Sequence, residues 1–260
     1  MNPALERWRG IGWELIREQA YSPALNLAID QLLTHQVQSG QRPPTLRFWG
    51  WSARAIILGR FQSVRNEVDL ETAKALNVEV ARRMSGGGAM FVEPDRTITY
   101  SLYMPEKLLE GLTIKGSYEA CDSWVVDCFQ RMGIDAWYAP LNDITSPKGK
   151  IGGAAQARKP GVVLHHTTIA YHMDEPEMQR LLRIGRGRLS DKGIPSAEKK
   201  VNPLRNQTEL SRIEVVRLLT DCFRERFGLA EAQLRDDELC QAHNLIRDRY
   251  GLEQWTFELP

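Results

Sequence analysis

Cysteine is scarce in this chain, and its spacing excludes several kinds of protein. The 260 residues contain four cysteines, with no C-x-x-C pair and no histidine at metal-ligand spacing: Cys121, Cys128, Cys222 and Cys240. This pattern argues against a zinc-ribbon site and against a disulfide framework. All four lie in segments that we predict to be helical, so we expect small buried side chains in a reducing compartment.

A dominant charge and long apolar runs are also missing. Lys and Arg total 34 against 33 Asp and Glu, so no global field directs the protein toward nucleic acid or an anionic membrane. The sequence has no run of about 18 apolar residues, which is the length needed to span a membrane, and residues 1–10 lack the apolar core of a signal peptide. We therefore expect a cytoplasmic protein that forms one domain over residues 1–260 and binds neither nucleic acid nor membrane.

The most informative stretch is a glycine-rich run that follows two adjacent arginines. Its sequence is Arg82-Arg83-Met84-Ser85-Gly86-Gly87-Gly88-Ala89-Met90-Phe91. Because glycine lacks a Cβ, an anion can approach the backbone N–H groups of such a turn, and arginine adds a planar fork that matches phosphate or carboxylate. The run therefore predicts a local anion site, with a glycine-rich hairpin carrying exposed arginines as the alternative.

A second group of small and polar residues lies between positions 140 and 172. Small residues surround Lys150, which would let its ammonium lie against a ligand; a solvated turn lysine is the alternative. His165 and His166 are neighbours on a predicted strand, so at most one can face a given site, and either could simply pack. The basic segment 183–205 predicts either a mobile loop that orders over a polyanionic ligand or a solvated connection.

The rest of the chain alternates helical and β-rich patterns. Ser22 and Pro23 predict the start of a helix that ends at Gly40. Residues 45–51 and 54–60 predict a hairpin, and residues 78–104 predict consecutive antiparallel strands. The remaining predicted segments are strands over residues 12–18 and 134–138, helices over residues 68–77, 116–132, 208–227 and 236–250, and a short strand over residues 255–257.

Taken together, the two glycine-containing regions resemble the lipoate-protein ligase A family, within the wider group of biotin and lipoate ligases and octanoyl transferases. The matching motifs keep the family's order across residues 12–257. They are residues 82–89, Thr99-Tyr100-Ser101, Leu141-Asn142-Asp143, residues 150–156, His165-His166 and the loop 189–194. The resemblance implies an α+β fold in which an antiparallel or mixed β-sheet core is flanked by helices.

The resemblance also implies an ATP-dependent lipoate-protein ligase. Such enzymes use Mg²⁺ and ATP to convert lipoate to lipoyl-AMP, then acylate one lysine of a lipoyl-domain protein, such as a 2-oxoacid dehydrogenase E2 or a glycine-cleavage-H-like carrier. Lys150 is the implied catalytic residue, and Asp143 is an implied Mg²⁺ ligand because hard cations prefer carboxylate oxygen. The implied nucleotide-binding residues are Arg83, Gly88, Ala89, Met90, Phe91, Asn142, Asp143 and Lys150. The implied lipoate-binding residues are Arg82, Gly86, Gly87, Lys150, Gly152, Ala154 and His165.

Two departures from the family pattern matter. Many members have a histidine shortly after the glycine-rich turn, where this chain has Phe91-Val92-Glu93-Pro94, so no role of that histidine carries over. The chain also stops soon after Trp255, where many such ligases continue into an accessory C-terminal domain. We expect either a catalytic domain that acts alone or a separate small accessory subunit.

Three alternatives stay open. An octanoyl transferase of the same fold would take its acyl group from acyl carrier protein without ATP, through a cysteine near the lysine, and residues 141–150 contain none. A non-catalytic lipoyl- or acyl-binding module would be expected to lose Lys150 or the arginines, which are present. A biotin ligase fits less well, because the Arg-Arg-x-Ser-Gly-Gly-Gly run matches the lipoate branch better and no DNA-binding segment is added.

Overall fold

The computed structural model describes residues 3–260, and strands and helices alternate along most of this range. The strands are β1 (Glu14–Ile16), β2 (Ala20–Tyr21), β3 (Thr45–Trp51), β4 (Ala55–Leu58), β5 (Glu79–Arg82), β6 (Met90–Val92), β7 (Thr97–Pro105), β8 (Trp137–Ala139), β9 (Asp143–Ser146), β10 (Gly149–Lys159), β11 (Val162–Ala170) and β12 (Ala230–Ala232). The α-helices are α1 (Pro23–Gln38), α2 (Val64–Glu67), α3 (Leu70–Ala75), α4 (Ile114–Arg131), α5 (Glu175–Leu181), α6 (Arg212–Phe227), α7 (Asp236–Leu245) and α8 (Glu253–Thr256).

Most strands form one large mixed sheet. Within residues 3–260 it contains nine strands in the order β12-β1-β3-β7-β11-β10-β9-β8, with β2 beside the end of β3. Strands β12, β1 and β3 are parallel, and each pairing from β3 onward to β8 is antiparallel. The α+β fold with a mixed sheet flanked by helices, expected from the resemblance, is confirmed.

A smaller sheet carries the glycine-rich region, and it overturns two predicted pairings. Its order is β5-β4-β6, with β4 parallel to β5 and antiparallel to β6. The predicted hairpin over residues 45–60 is wrong, because β3 joins the large sheet and β4 the small one. The predicted run of consecutive antiparallel strands over residues 78–104 is also wrong, because β4 lies between β5 and β6 while β7 pairs with β3 and β11.

Alternate residues of the central strands supply two separate cores. Phe48 of β3 packs in a cluster with Trp124 of α4 and Phe223 of α6. Trp49, the next residue, lies in a different cluster with residues of α1 and α7. Helices therefore cover both faces of the central strands, and for this reason two adjacent histidines of β11 can both be buried.

Helix ends agree with the sequence signals in part. Ser22 caps α1 through its side chain and Pro23 is the first helical residue, as predicted. Helix α6 begins later than the predicted residue 208, because Ser211 forms the capping box. The predicted final strand over residues 255–257 is wrong, since α8 occupies that position. No helix in the described part of the chain has the length and apolar content needed to cross a membrane.

Candidate functional site

A cavity of about 1030 Å³ opens beside β10 and β11. The turn before β6, helix α5 and the basic segment that follows α5 form its other walls. Most predicted site residues line it: Arg83, Gly88, Ala89, Met90, Phe91, Asn142, Asp143, Lys150, Gly152 and Ala154. The predicted site residues outside its lining are Arg82, Gly86, Gly87 and His165. The fold thus brings together two glycine-containing regions that belong to different sheets.

Asp143 is the centre of a group of charges on the cavity wall. Lys150 Nζ lies 2.9 Å from Asp143 Oδ1, and Lys199 Nζ contacts Oδ2. A Cβ at Gly153 would lie 2.5 Å from Lys150 Nζ, so this glycine is what lets the ammonium reach the carboxylate. Asp143 is buried whereas both lysines remain partly exposed, so their positive charge is available to an anion in the cavity. Sequence reasoning missed Lys199, whose only signal was its place in the basic segment.

Arg83 lies beneath the glycine-rich turn and holds its shape. Its Nη1 donates to the Ile57 carbonyl at 3.1 Å, and its Nε donates to Ser85 Oγ at 3.0 Å. Its Nη2 donates to the carbonyls of Gly86 at 2.5 Å and Gly88 at 2.9 Å. Burial lowers the pKa of Arg83 to about 10, so the guanidinium is still charged at neutral pH. The turn therefore carries a fixed positive charge directly below its backbone.

The basic segment predicted as a loop closes one side of the cavity through Ser196. Ser196 Oγ accepts hydrogen bonds from the Ala89 N–H and from Gln62 Nε2, each at 2.9 Å, and donates one to Glu67. Farther along the segment, the Lys200 carbonyl accepts a hydrogen bond from the Lys150 backbone N–H at 2.9 Å. The segment is therefore part of the cavity wall and not a purely solvated connection.

His166, and not His165, faces the cavity, and it links α1 to the glycine-rich turn. Its Nδ1 lies 2.9 Å from Asp30 Oδ2 and its Nε2 lies 2.6 Å from Ser85 Oγ. Burial lowers the pKa of His166, although the Asp30 carboxylate opposes this shift. The neutral ring therefore donates a hydrogen bond from Nδ1–H to Asp30, and its Nε2 accepts a hydrogen bond from the Ser85 hydroxyl. The signal that sequence reasoning missed is an acidic residue, Asp30, among the apolar positions of a predicted helix.

His165 points to the opposite face of β11 and belongs to the core. Its Nε2 lies 2.9 Å from Asp122 Oδ1, which also accepts hydrogen bonds from the hydroxyls of Tyr100 and Thr167. Burial opposes the charged ring, but the Asp122 carboxylate more than offsets it and raises the pKa of His165 to about 10. The sequence prediction that at most one of the two histidines faces the site is confirmed. The lipoate contact predicted for His165 stays a prediction.

Arg82 is fully buried and serves a different part of the chain from its neighbour Arg83. Its Nε and Nη1 donate to five backbone carbonyls at 2.8–3.3 Å, those of Gly59, Arg60, Gln62, Trp255 and Thr256. The guanidinium therefore joins the loop after β4 to the C-terminal segment. The acyl contact that the resemblance implies for Arg82 also stays a prediction.

No cysteine is among the described residues that line the cavity. Cys121 is buried on α4, and Cys128 and Cys222 meet between α4 and α6. The expectation of buried thiols is confirmed for Cys121 and Cys128. It is wrong for Cys240, which is exposed on α7, and Cys222 is only partly buried.

Comparison with known proteins gives relatives that span nearly the whole chain. The octanoyltransferase LipM of Anoxybacillus flavithermus is 27% identical over 277 residues, which cover 95% of this chain and 98% of that protein. The octanoyltransferase LipM of Bacillus subtilis is 24% identical over 274 residues, which cover 95% and 98%.

The similar solved structures are described as lipoate protein ligases, whereas the relatives found by sequence are octanoyltransferases. A bi-partite lipoate protein ligase from Thermoplasma acidophilum, described together with its E2 lipoyl domain as an archaeal lipoylation system, has a TM-score of 0.81 at 26% identity and covers 96% of this chain and 97% of that one. Lipoate-protein ligase A bound with ATP has a TM-score of 0.81 at 25% identity and covers 96% and 100%. Residues 22–224 match the lipoyl protein ligase A/B catalytic domain.

Proposed function

The chain belongs to the lipoyl protein ligase A/B catalytic domain family, and within that family we propose that it is an ATP-dependent lipoate-protein ligase. The observation that carries this proposal is a cavity with Lys150 and Lys199 on the Asp143 carboxylate and no cysteine among its described lining residues. Acyl transfer through an enzyme thioester needs a thiol in the site. Adenylation instead needs positive charge where a carboxylate meets a phosphate, and the cavity supplies it.

The reaction joins two anions, and the lysines address that difficulty. The lipoate carboxylate attacks the α-phosphorus of ATP, the α–β phosphoanhydride bond breaks, and lipoyl-AMP and pyrophosphate form. Lys150 offsets the charge on the carboxyl and α-phosphoryl oxygens, and Lys199 adds a second positive charge beside it. The amine of an acceptor lysine then attacks the acyl carbon, and AMP leaves.

The two halves of lipoyl-AMP have separate walls to bind. We assign the nucleotide to Arg83, Asn142, Asp143 and the backbone of residues 88–91. The Ala89 N–H now donates to Ser196 Oγ, and a backbone N–H of this kind can instead donate to a phosphate oxygen. We assign the acyl chain to the wall that Gly152 and Ala154 form beside Lys150. The predicted lipoate-binding residues outside the cavity lining would act through the shape of the wall: Arg82, Gly86, Gly87 and His165.

Magnesium fits this site as an ion that arrives with the nucleotide. Residues 3–260 contain no group of three or more His, Cys, Asp or Glu side chains placed to hold a metal ion. Mg²⁺ commonly binds through one or two carboxylates together with substrate phosphates, and Asp143 supplies such a carboxylate. When bound, the ion would neutralise phosphate charge. The two lysines that now contact Asp143 would then shift their contacts to the phosphates.

Octanoyl transfer is the second candidate, because relatives over nearly the full chain are octanoyltransferases. In that reaction the acyl group arrives as a thioester of a carrier protein and ATP is not consumed. Both candidates end on a lysine of a lipoyl-domain acceptor, and a similar ligase is described together with its E2 lipoyl domain. The same ligase is bi-partite, which supports a separate accessory subunit as a partner of this chain.

The test supplies an apo lipoyl-domain acceptor and reads its intact mass. One reaction contains Mg-ATP and lipoate, and the other contains octanoyl acyl carrier protein without ATP. We expect a lipoyl mass increase only in the first, retained by Lys148→Ala, a control at an exposed lysine outside the cavity lining. We expect Lys150→Ala to lower the rate at least about 100-fold while the fold is retained.

The other outcomes are distinct. Octanoylation of the acceptor without ATP would overturn the ligase assignment in favour of the transferase. Unchanged activity of Lys150→Ala would remove the catalytic role of that lysine. Lipoyl-AMP formation without acceptor modification would support the ligase and place the transfer step under the control of an accessory subunit.

A further inference from the structure

A pair of thiols lies between two helices, away from the cavity already described. Cys128 Sγ and Cys222 Sγ are 2.8 Å apart, although the residues are 94 positions apart in sequence. Cys128 is on α4 and Cys222 on α6, and these helices pack together in the main core. The two sulfurs need to approach each other by only about 0.8 Å to reach the length of a disulfide bond.

The two thiols differ in their surroundings. Cys128 is fully buried, and burial raises its pKa well above the usual value of a cysteine. Cys222 is partly exposed and lines a second cavity of about 640 Å³ together with Cys128. Arg131 Nη1 lies 3.9 Å from Cys222 Sγ, although the same nitrogen also donates to Glu225. Because Cys222 is partly exposed and Cys128 is buried, Cys222 is the thiol that a small solvent-borne oxidant reaches first.

We propose that Cys128 and Cys222 form a modification site at which a peroxide converts the pair to a disulfide between α4 and α6. The Cys222 thiolate attacks one peroxide oxygen, the O–O bond breaks, hydroxide leaves, and Cys222 becomes a sulfenic acid. The Cys128 sulfur then attacks the Cys222 sulfur, the S–O bond breaks, and the thiol proton leaves with the hydroxyl group as water. Two thiols lose two electrons in total, and the peroxide is reduced to water.

The other two cysteines provide internal controls. Cys121 is buried beside Gln156 and Cys240 is exposed on α7, and the structure places neither beside another cysteine sulfur. In a reducing compartment such a bond would form transiently under oxidative conditions, as is usual for cytosolic disulfides. The site is separate from the cavity that binds the acyl group in the proposed function, so it can be tested without reference to that function.

The test treats the full folded chain carrying Cys240→Ser with hydrogen peroxide, alkylates the remaining thiols after denaturation, and maps peptides by mass. We expect loss of alkylation at Cys128 and Cys222 together, a joined peptide lighter by two hydrogens, and full alkylation at Cys121. Dithiothreitol should reverse the change. In a second variant that also carries Cys222→Ser, Cys128 should stay alkylated at the same peroxide dose.

Two results would overturn the proposal. Sulfinic or sulfonic acid could accumulate at Cys222 while Cys128 is still fully alkylated, which would mean that the two sulfurs do not meet in the folded chain. Alternatively, both thiols could stay alkylated at a dose that oxidises Cys240 in the unsubstituted chain, which would mean that this pair is not reactive.

Discussion

Replacing Arg82 by methionine should destabilise the protein, and this prediction separates a structural role from an acyl-binding one. The buried guanidinium donates to five backbone carbonyls, two of them in the C-terminal segment and three in the loop after β4. Methionine fills a similar volume but donates none of these hydrogen bonds. The five carbonyls would lose the donor that now joins them.

The size of the effect follows from these contacts. A hydrogen bond contributes about 1 kcal/mol net, and more when one partner is charged, while an orphaned buried group costs about 1–3 kcal/mol. Not every carbonyl loses its full contribution, because the loop can relax toward solvent, so we expect a loss of about 3–5 kcal/mol. For a chain of this size that corresponds to a fall in Tm of about 6–20 °C.

The assay is thermal and urea unfolding, with Arg17→Met as the matched control. Arg17 is an exposed arginine paired with Glu231, and such surface pairs contribute about 0–1 kcal/mol. Below the Tm of Arg82→Met, the KM for the acyl substrate should change little. An unchanged Tm together with a large rise in that KM would refute this reasoning and support the acyl contact that the family resemblance implies.

Two further predictions concern the core histidine and the turn. His165 has a folded-state pKa of about 10, raised by Asp122, so its contribution to stability is complete below the unfolded pKa of about 6.5 and is lost as pH rises through the folded value. The free energy of unfolding of wild type minus that of His165→Gln should therefore fall by about 1.4 kcal/mol per pH unit between pH 7 and 10, and a pH-independent difference would contradict the ion pair. Gly59→Ala should lower the free energy of unfolding by about 1–3 kcal/mol and remove most activity, because its Cβ would lie 2.0 Å from the Gly87 carbonyl oxygen. Gly86→Ala should be tolerated, because the atom nearest to its Cβ would be 3.7 Å away. Equal stability of the two variants would contradict this packing.

Much of the site could be predicted from local sequence. The small residues around Lys150 predicted that its ammonium could lie close to another group. Gly153 does leave space for the Lys150 ammonium, which contacts Asp143. The alternation of side chains on a strand also predicted that one histidine at most faces the site. It could not say which one, because β11 is covered on both faces and both histidines are polar residues in buried surroundings.

The missed parts depend on contacts between distant residues. Arg82 and Arg83 are adjacent and chemically identical, yet one bonds to the C-terminal segment and the other to the glycine-rich turn. The strands over residues 45–60 were predicted correctly, but their pairing was not, since periodicity shows that a segment is extended without identifying its partner. Lys199 reaches Asp143 only because the basic segment folds back over β10.

The most direct test of the central claim is pyrophosphate release by a variant in which Cys121, Cys128, Cys222 and Cys240 are all replaced by serine. With Mg-ATP and lipoate, and with circular dichroism confirming the fold, we predict lipoate-dependent pyrophosphate release at the wild-type rate within about threefold, a difference of less than 1 kcal/mol in the barrier. The contradictory result would be no lipoate-dependent pyrophosphate from either protein, together with octanoyl transfer from a carrier thioester that only the cysteine-containing protein performs.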